Sequence, residues 1–274
     1  MKQNESKILL IIFIILLVLI LCTGVLFYLV MTSLFAPPIR NDVDTVSIAS
    51  WNLQNFGSTK AANMSLLQYY AQKLDDYDVF VLQEINDPTG LAIQSFAAEL
   101  PNYHYLLSSP AGQGTSKEQY AIFYNMKVTL LNVIDWTGQE QSTFERPPLE
   151  ATFSVKNWTF TICTIHVKVD NVPQELTNLE HLLGTPTNDT ILLGDLNADG
   201  ENYYDGVLYH FLNWHWLITS EWDTTVAKSS NAYDRIIINE AAENNFISVG
   251  IMDDVTSSQS DHYLIFAHFN PDAK

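Results

Sequence analysis

Positive charge is what this chain has least of. Thirteen Lys and Arg stand against 31 Asp and Glu, a formal net charge of -18 over 274 residues. A nucleic-acid backbone is ordinarily met by a basic face, so the charge argues against bulk attraction to a polyanion as a source of affinity. Chemistry on a phosphate is not excluded, because a bound divalent cation adds local positive charge that a formal count ignores. Cysteine is nearly absent too. Cys22 lies in an apolar N-terminal run and Cys163 in a strand-like segment. Neither a disulfide framework nor a cysteine-based zinc site can be built inside the folded part. There is no internal repeat, and no low-complexity tract beyond the N-terminal run.

That run is the first thing the sequence does have. Residues 8–31 are almost unbroken apolar sequence, longer than the ~20 residues needed to cross a bilayer and than the ~7–15 of a signal-peptide core. Lys2 and Lys7 precede it, and the next basic residue is Arg40. The positive-inside rule then predicts a cytoplasmic tail at 1–7 and a transmembrane signal anchor at 8–31. A linker at 32–43, broken by Ala36-Pro37-Pro38, leads to an outward-facing domain at 44–274. Secretion after cleavage of the apolar segment is the alternative. Asn63, Asn157 and Asn188 each open an Asn-x-Ser/Thr triplet, which fits an extracytoplasmic domain.

Hydrophobic residues are 47% and aromatics 12%, enough for one large globular core. Alternation of Val46, Ile48 and Ser50 with their neighbours predicts a strand at 45–51. Helical spacing of Met64, Leu67, Tyr70, Ala71 and Leu74 predicts a helix over 62–75. Further helices are expected at 89–100 and 173–184. Strands are expected at 78–83, 103–108, 119–125, 128–135, 149–155, 158–165, 190–194, 233–238 and 262–269. Many strands with few helices predict an α+β fold, a two-sheet core with helices outside.

Polar groups follow several of these strands. Asn52 ends the first, Glu84 follows Val79–Gln83, and Asp195 and Asn197 follow Ile191–Leu193. His166 continues the period-2 phase of Phe160, Ile162 and Thr164, so it shares a face with core residues. Taken singly, each has an ordinary explanation. Asp-x-Asn suits turns, Asp234 reads as a salt-bridge partner of Arg235, and Asp261-His262 as a turn. Together they form the set that metal-assisted P–O cleavage needs: carboxylates for Mg²⁺ and histidines to move protons.

At this point the sequence resembles the endonuclease/exonuclease/phosphatase superfamily, and within it the deoxyribonuclease I family. The pieces that carry the resemblance run from Ala49-Ser50-Trp51-Asn52 and Leu82-Gln83-Glu84 to Gly194-Asp195-Leu196-Asn197 and Ser260-Asp261-His262. Lys117-Glu118-Gln119-Tyr120 and Ala232-Tyr233-Asp234-Arg235-Ile236 are narrower and point to the deoxyribonuclease I branch. The resemblance implies a four-layer αββα sandwich and a DNA substrate cut to 5′-phosphate ends. It implies Glu84, Asn52, Asp195 and Asp261 around Mg²⁺ or Mn²⁺. His166, oriented by Glu118, would be the general acid, and His262, oriented by Asp234, the general base. Asn197 would donate to a phosphate oxygen and Arg146 would contact phosphate. Asp223 and Thr225 match part of a structural Ca²⁺ loop, where Ala227 replaces an oxygen-bearing residue. Gly200 and Asn231 stand where secreted relatives carry cysteines. Asn86 and Ser116 stand where relatives place an arginine and a tyrosine that grip the minor groove.

The expected partners are therefore a DNA substrate and the membrane, with no obligate protein partner. A sphingomyelinase-type lipid phosphodiesterase of the same superfamily is the second reading. A non-catalytic surface module is the third, and the survival of every candidate catalytic residue weighs against it.

Overall fold

In the computed structural model, which describes residues 45–204 and 207–273, strands are written mainly by two-residue alternation. The expected tail, transmembrane anchor and linker lie outside the described residues. Among the described residues no helix is long and apolar enough to cross a membrane. The strands are β1 (Val46–Phe56), β2 (Val79–Ile85), β3 (Tyr103–Leu107), β4 (Gln119–Asn125), β5 (Thr129–Asp135), β6 (Leu149–Val155), β7 (Trp158–Thr164), β8 (Asp189–Asp195), β9 (Trp214–Trp216), β10 (Asp234–Asn239), β11 (Phe246–Met252) and β12 (Leu264–Phe269). The helices are α1 (Ser58–Ala61), α2 (Met64–Leu74), α3 (Leu91–Ala97), α4 (Thr137–Glu140), α5 (Val172–Leu183) and α6 (Glu240–Glu243).

One six-stranded sheet runs β11-β12-β1-β2-β4-β3, the other β5-β6-β7-β8-β10-β9. Both are mixed. β1 pairs parallel with β2, and β7 with β8, while the other pairings are antiparallel. Alternate residues on each strand separate two environments. Val46 and Ile48 of β1 join Phe160 and Ile162 of β7, Ile191 and Leu193 of β8, and Ile236 and Ile238 of β10 in a core between the sheets. Ala49, Trp51 and Leu53 of β1 point the other way, onto Leu67, Tyr70 and Leu74 of α2 and Ile93 and Phe96 of α3. On the far side, Cys163, Leu192 and Ile237 pack with Val172, Leu176 and Leu179 of α5. The layers are thus helix, sheet, sheet, helix. Burying each large aliphatic side chain contributes about 1.5–3 kcal/mol against chain entropy.

α2 begins at Asn63, whose side-chain oxygen accepts from the Leu66 N–H, the standard solution for an unpaired helical donor. α5 carries Pro173 in its first turn, where a missing N–H costs nothing. The expected strands and longer helices form within a few residues of their predicted bounds. β1 runs well beyond 51, and β9 and β11 were not expected at all.

The inner faces change character along their length. At one end of the sandwich they are aliphatic. At the other they continue in the same phase into Ser50 and Asn52 on β1, Thr164 and His166 on and after β7, Asp195 on β8 and Asp234 on β10, all buried. The face that builds the core therefore also builds the candidate site.

Candidate active site

Both parallel strands of the first sheet break their ladder where the site begins. β1 and β2 slip register between Asn52 and Phe56. Gln54, Asn55 and Glu84 sit in left-handed backbone at φ 48°, 56° and 58°. Such a conformation costs a non-glycine residue about 1–2 kcal/mol, and such strain gathers at functional sites. Here it aims Glu84. The Asn52 amide donates through Nδ2 to Glu84 Oε1 and to Asp195 Oδ2, both at 2.9 Å. The Asn55 N–H donates to Glu84 Oε2 at 2.7 Å. Asn52 thereby joins a carboxylate of each sheet, while its own oxygen accepts from the Gln54 N–H at 2.9 Å. Gln83 makes a second bridge below, donating to Ser50 Oγ at 3.0 Å and to Thr164 Oγ1 at 3.2 Å.

Asp195 is brought close by Gly194. This glycine has φ +148°, and a Cβ there would stand 2.3 Å from the Ile165 carbonyl oxygen. Only glycine lets β8 press against the chain that carries His166. Asn197 follows in left-handed backbone at φ 49°. Its N–H donates to Asp195 Oδ1 at 3.1 Å, and its side-chain amide donates to the Val167 carbonyl at 3.0 Å.

Two histidines converge on Asp195. His166 Nε2 lies 3.4 Å and His262 Nε2 lies 3.6 Å from the same oxygen, Asp195 Oδ2. Each ring is held from behind by a carboxylate. His166 Nδ1 meets Glu118 Oε2 at 2.9 Å, and His262 Nδ1 meets Asp234 Oδ2 at 2.7 Å. An ionised carboxylate only accepts, so each Nδ1 carries the proton. That leaves Nε2 as the working atom of each ring. The Trp51 indole donates to the His262 carbonyl at 2.9 Å, and the Ser260 hydroxyl accepts from the His262 N–H at 3.1 Å. Tyr120 supports the other ring: its hydroxyl accepts from the His166 N–H and donates to the Arg146 carbonyl, each at 3.0 Å.

The electrostatics follow this arrangement. Burial works against charge on His262, yet Asp234 and Asp195 outweigh it and hold the ring's pKa up at about 10. Burial also opposes charge on Asp195, but both imidazoles and the Asn52 amide keep its carboxyl below the usual range. Glu118 is likewise held low against burial by His166 and Arg146. The acidic groups fit a hard divalent cation, which prefers oxygen ligands. Asp195, Asp234 and His262 place ligand atoms within 4.8 Å of one another. Asp234 Oδ1, on the carboxylate behind His262, is buried and has no hydrogen-bond partner among the described residues, while Asn52 draws Glu84 and Asp195 together, two carboxylates whose shared charge a cation would offset. Asp261 stands at the rim, half exposed, with Oδ1 3.7 Å from His262 Nε2.

The remaining sequence candidates lie around this centre. Arg146 donates to Glu118 Oε1 at 2.9 Å, to the His166 carbonyl at 2.9 Å and to the Val167 carbonyl at 3.3 Å. Asp234 pairs with His262 rather than with Arg235, whose guanidinium reaches the Ile218 and Ala198 carbonyls instead. Asn86 donates to Asn55 Oδ1 at 2.6 Å, and Ser116 is exposed in the loop before Glu118. Asp223 Oδ1 accepts from the Thr225 N–H and hydroxyl, both at 3.1 Å, and the Thr225 hydroxyl also donates to the Ser229 carbonyl at 3.0 Å. This loop flanks the site, because Thr225 bridges His262. Gly200, at φ +53°, abuts Asn231: a Cβ there would stand 2.8 Å from its side-chain oxygen. With no cysteine pair, the loop is closed by the Ala232 N–H donating to Asp199 Oδ2 at 2.7 Å. Gln83, Tyr120, Lys60 and Ser260 were given no role from sequence, although Gln83, Tyr120 and Ser260 fall inside the motifs that carried the resemblance.

The sequence pattern of the Endonuclease/Exonuclease/phosphatase family matches residues 49–262. Deoxyribonuclease-1 of Bos taurus is 28% identical over 256 residues, covering 81% of this chain and 91% of the bovine one. Deoxyribonuclease-1 of Equus caballus is 30% identical over 259 residues, with 81% and 91% covered. Among solved structures, humanized D. rerio TDP2 superposes with a TM-score of 0.63 at 16% identity, covering 82% of this chain and 99% of that one. The Bacteroides thetaiotaomicron mannosyl-6-phosphatase Bt3783 gives 0.59 at 17%, with 82% and 99% covered. These two likenesses show the fold. The chain belongs to the endonuclease/exonuclease/phosphatase family, as a deoxyribonuclease I-like member.

Proposed function

We propose that this protein is a membrane-tethered, outward-facing, Mg²⁺- or Mn²⁺-dependent endonuclease that hydrolyses DNA phosphodiester bonds to give 5′-phosphate ends. One observation carries the reading: two carboxylate-held imidazoles, one from each of two separate segments, present Nε2 to the same oxygen of one buried carboxylate. Two proton-transfer groups on opposite sides of a phosphorus suit in-line displacement. His166 Nε2 protonates the leaving 3′ oxygen, and Glu118 keeps its tautomer and orientation. His262 Nε2 takes a proton from the attacking water, and Asp234 stabilises the charged ring that results. Asn197 and Arg146 orient phosphate oxygens through the N–H groups that the protein leaves unpaired. A divalent cation held by Glu84, Asp195 and Asp261, with Asn52 beside them, would polarise the phosphoryl group and offset the carboxylate field that keeps His262 protonated. A structural Ca²⁺, if bound, would take the separate loop of Asp223 and Thr225, whose Asp223 Oδ1 already accepts from Thr225 and Asn231.

DNA as substrate is supported by the deoxyribonuclease relatives and by the narrow motifs around Glu118 and Asp234. The anchor rests on residues 8–31 and the orientation on Lys2 and Lys7. A lipid phosphodiester is the second reading, favoured by the exposure of Tyr204, Val207, Tyr209 and Leu212 on one stretch of chain. The two are separated by giving the purified protein supercoiled plasmid and, separately, sphingomyelin vesicles, each with Mg²⁺. Plasmid nicking without phosphocholine release is expected. Phosphocholine release with intact plasmid would replace the first reading with the second.

A further inference from the structure

Lys60 lies in the short α1, just beyond the bulge of β1, where a lysine would ordinarily project into water. Here it is partly buried, and its ammonium donates to the Leu53 carbonyl at 2.7 Å and to the Gln259 carbonyl at 2.9 Å. The two acceptors belong to different segments. Leu53 falls inside the slip between Asn52 and Phe56, where β2 offers no ladder partner. Gln259 precedes Ser260-Asp261-His262 in a segment outside the named strands, paired in β fashion only at the Thr225–His262 bridge among the described residues, and its carbonyl also takes the Tyr70 hydroxyl at 2.6 Å. Leu53 is the residue after Asn52. Lys60 therefore clamps the chain that carries Asn52 to the chain that carries Asp261 and His262.

Two neutral bonds run alongside it. The Ser260 hydroxyl donates to the Asn52 carbonyl at 2.6 Å, and the Trp51 indole donates to the His262 carbonyl at 2.9 Å. Lys60 is the one charged tie in this group, and it reaches in from a third element. Burial works to discharge it, while Asp261 and Glu84 favour its charge.

We infer that Lys60 is a positioning residue: its ammonium fixes the β1 end, with Asn52 and through Asn55 also Glu84, against the Asp261-His262 segment, so that both halves of the site meet a phosphate in register. The inference rests on the proposed phosphodiesterase reading. Registration matters because a displacement of about 1 Å in such a site costs about 10²-fold in rate.

Lys60→Met keeps the length of the side chain and removes its donors and charge. Lys60→Arg restores both. Steady-state cleavage of a linear duplex is measured for each, together with the downfield imidazole Nδ1–H proton resonances of the metal-free protein. For Lys60→Met, kcat should fall about ten- to hundred-fold with KM within about two-fold. The His262 resonance should shift or broaden while that of His166 stays, and Lys60→Arg should recover most of the loss. If Lys60→Met does not fold, Lys60→Gln, which keeps a donor without the charge, takes its place with the same expected signs. Wild-type kcat in the folded variant, an unmoved His262 resonance, or equal disturbance of both histidines would each overturn the inference. A wild-type protein that cuts no DNA would sink the functional reading instead, and the resonances would still test the positioning role.

Discussion

Each imidazole in this site is useful only because a carboxylate stands behind it. His166→Ala and His262→Ala should each lower the rate of plasmid cleavage about 10²–10⁴-fold, the usual worth of a positioned acid or base. The double variant should lose far less than the product of the two, because groups acting as a unit are not additive. Near-full activity in either folded single variant would remove that residue from the mechanism. Glu118→Gln tests the support. Glu118 is held below the ordinary carboxylate range by His166 and Arg146, so its charge stabilises the fold above that range. The contribution is lost as pH falls through the lower folded value. The melting temperature of wild type should exceed that of Glu118→Gln at neutral pH, and the gap should close as pH falls below the carboxylate range. A gap that stays constant into acid would mean that the pair contributes nothing electrostatic. At this scale the sequence was legible wherever a residue continued a strand's phase. His166 shares a face with Phe160, Ile162 and Thr164, and its place followed from that spacing. The partner of Asp234 was not legible from spacing, which suggested Arg235; it came only with the family resemblance, which paired Asp234 with His262. The adjacent Arg235 points to the other face, and the true partner, His262, is 28 residues away.

Elements place these side chains by breaking their own regularity. The bulges at the ends of β1 and β2 hold Gln54, Asn55 and Glu84 in left-handed backbone, and Gly194 brings β8 against the Ile165 carbonyl. Gly194→Ala combines an unfavourable φ with a clash against backbone, so it should cost about 2–4 kcal/mol. Urea unfolding measures that loss, and a variant as stable as wild type would mean that the close approach is not required. The central strands β2, β8 and β10 are legible as short continuous apolar runs, because both their faces are buried. Two of the four edge strands were missed. β9 has only three residues, and β11 is an edge strand whose register slips between Phe246 and Ser248. The bulges are invisible to alternation, since they are where it stops, and β1 was accordingly expected to end near 51.

For the whole molecule the dominant fact is the charge of -18. A protein this acidic repels a polyanion at long range, and no arginine occupies position 86 to offset it in the minor groove. Asn86 instead bonds to Asn55 beside Glu84. Activity should therefore keep rising with divalent cation beyond catalytic saturation, as added ions screen the repulsion. Asn86→Arg with Ser116→Tyr should lower KM for duplex DNA more than it changes kcat, because the added contacts hold substrate and transition state alike. An unchanged KM at two salt concentrations would mean that these positions do not face the groove. The tether is tested separately. Protease added to intact cells should remove the domain and spare the tail bearing Lys2 and Lys7, whereas full protection would reverse the proposed orientation. The account stands or falls, however, on what the two histidine–carboxylate pairs do to a phosphodiester. The most direct measurement is to incubate the purified protein with supercoiled plasmid and Mg²⁺ and to identify the chemistry of the new ends. The account expects nicked circles with 5′-phosphate and 3′-hydroxyl ends, lost on chelation and restored by Mn²⁺. Ends bearing 3′-phosphate, or cleavage that survives the chelator, would contradict it.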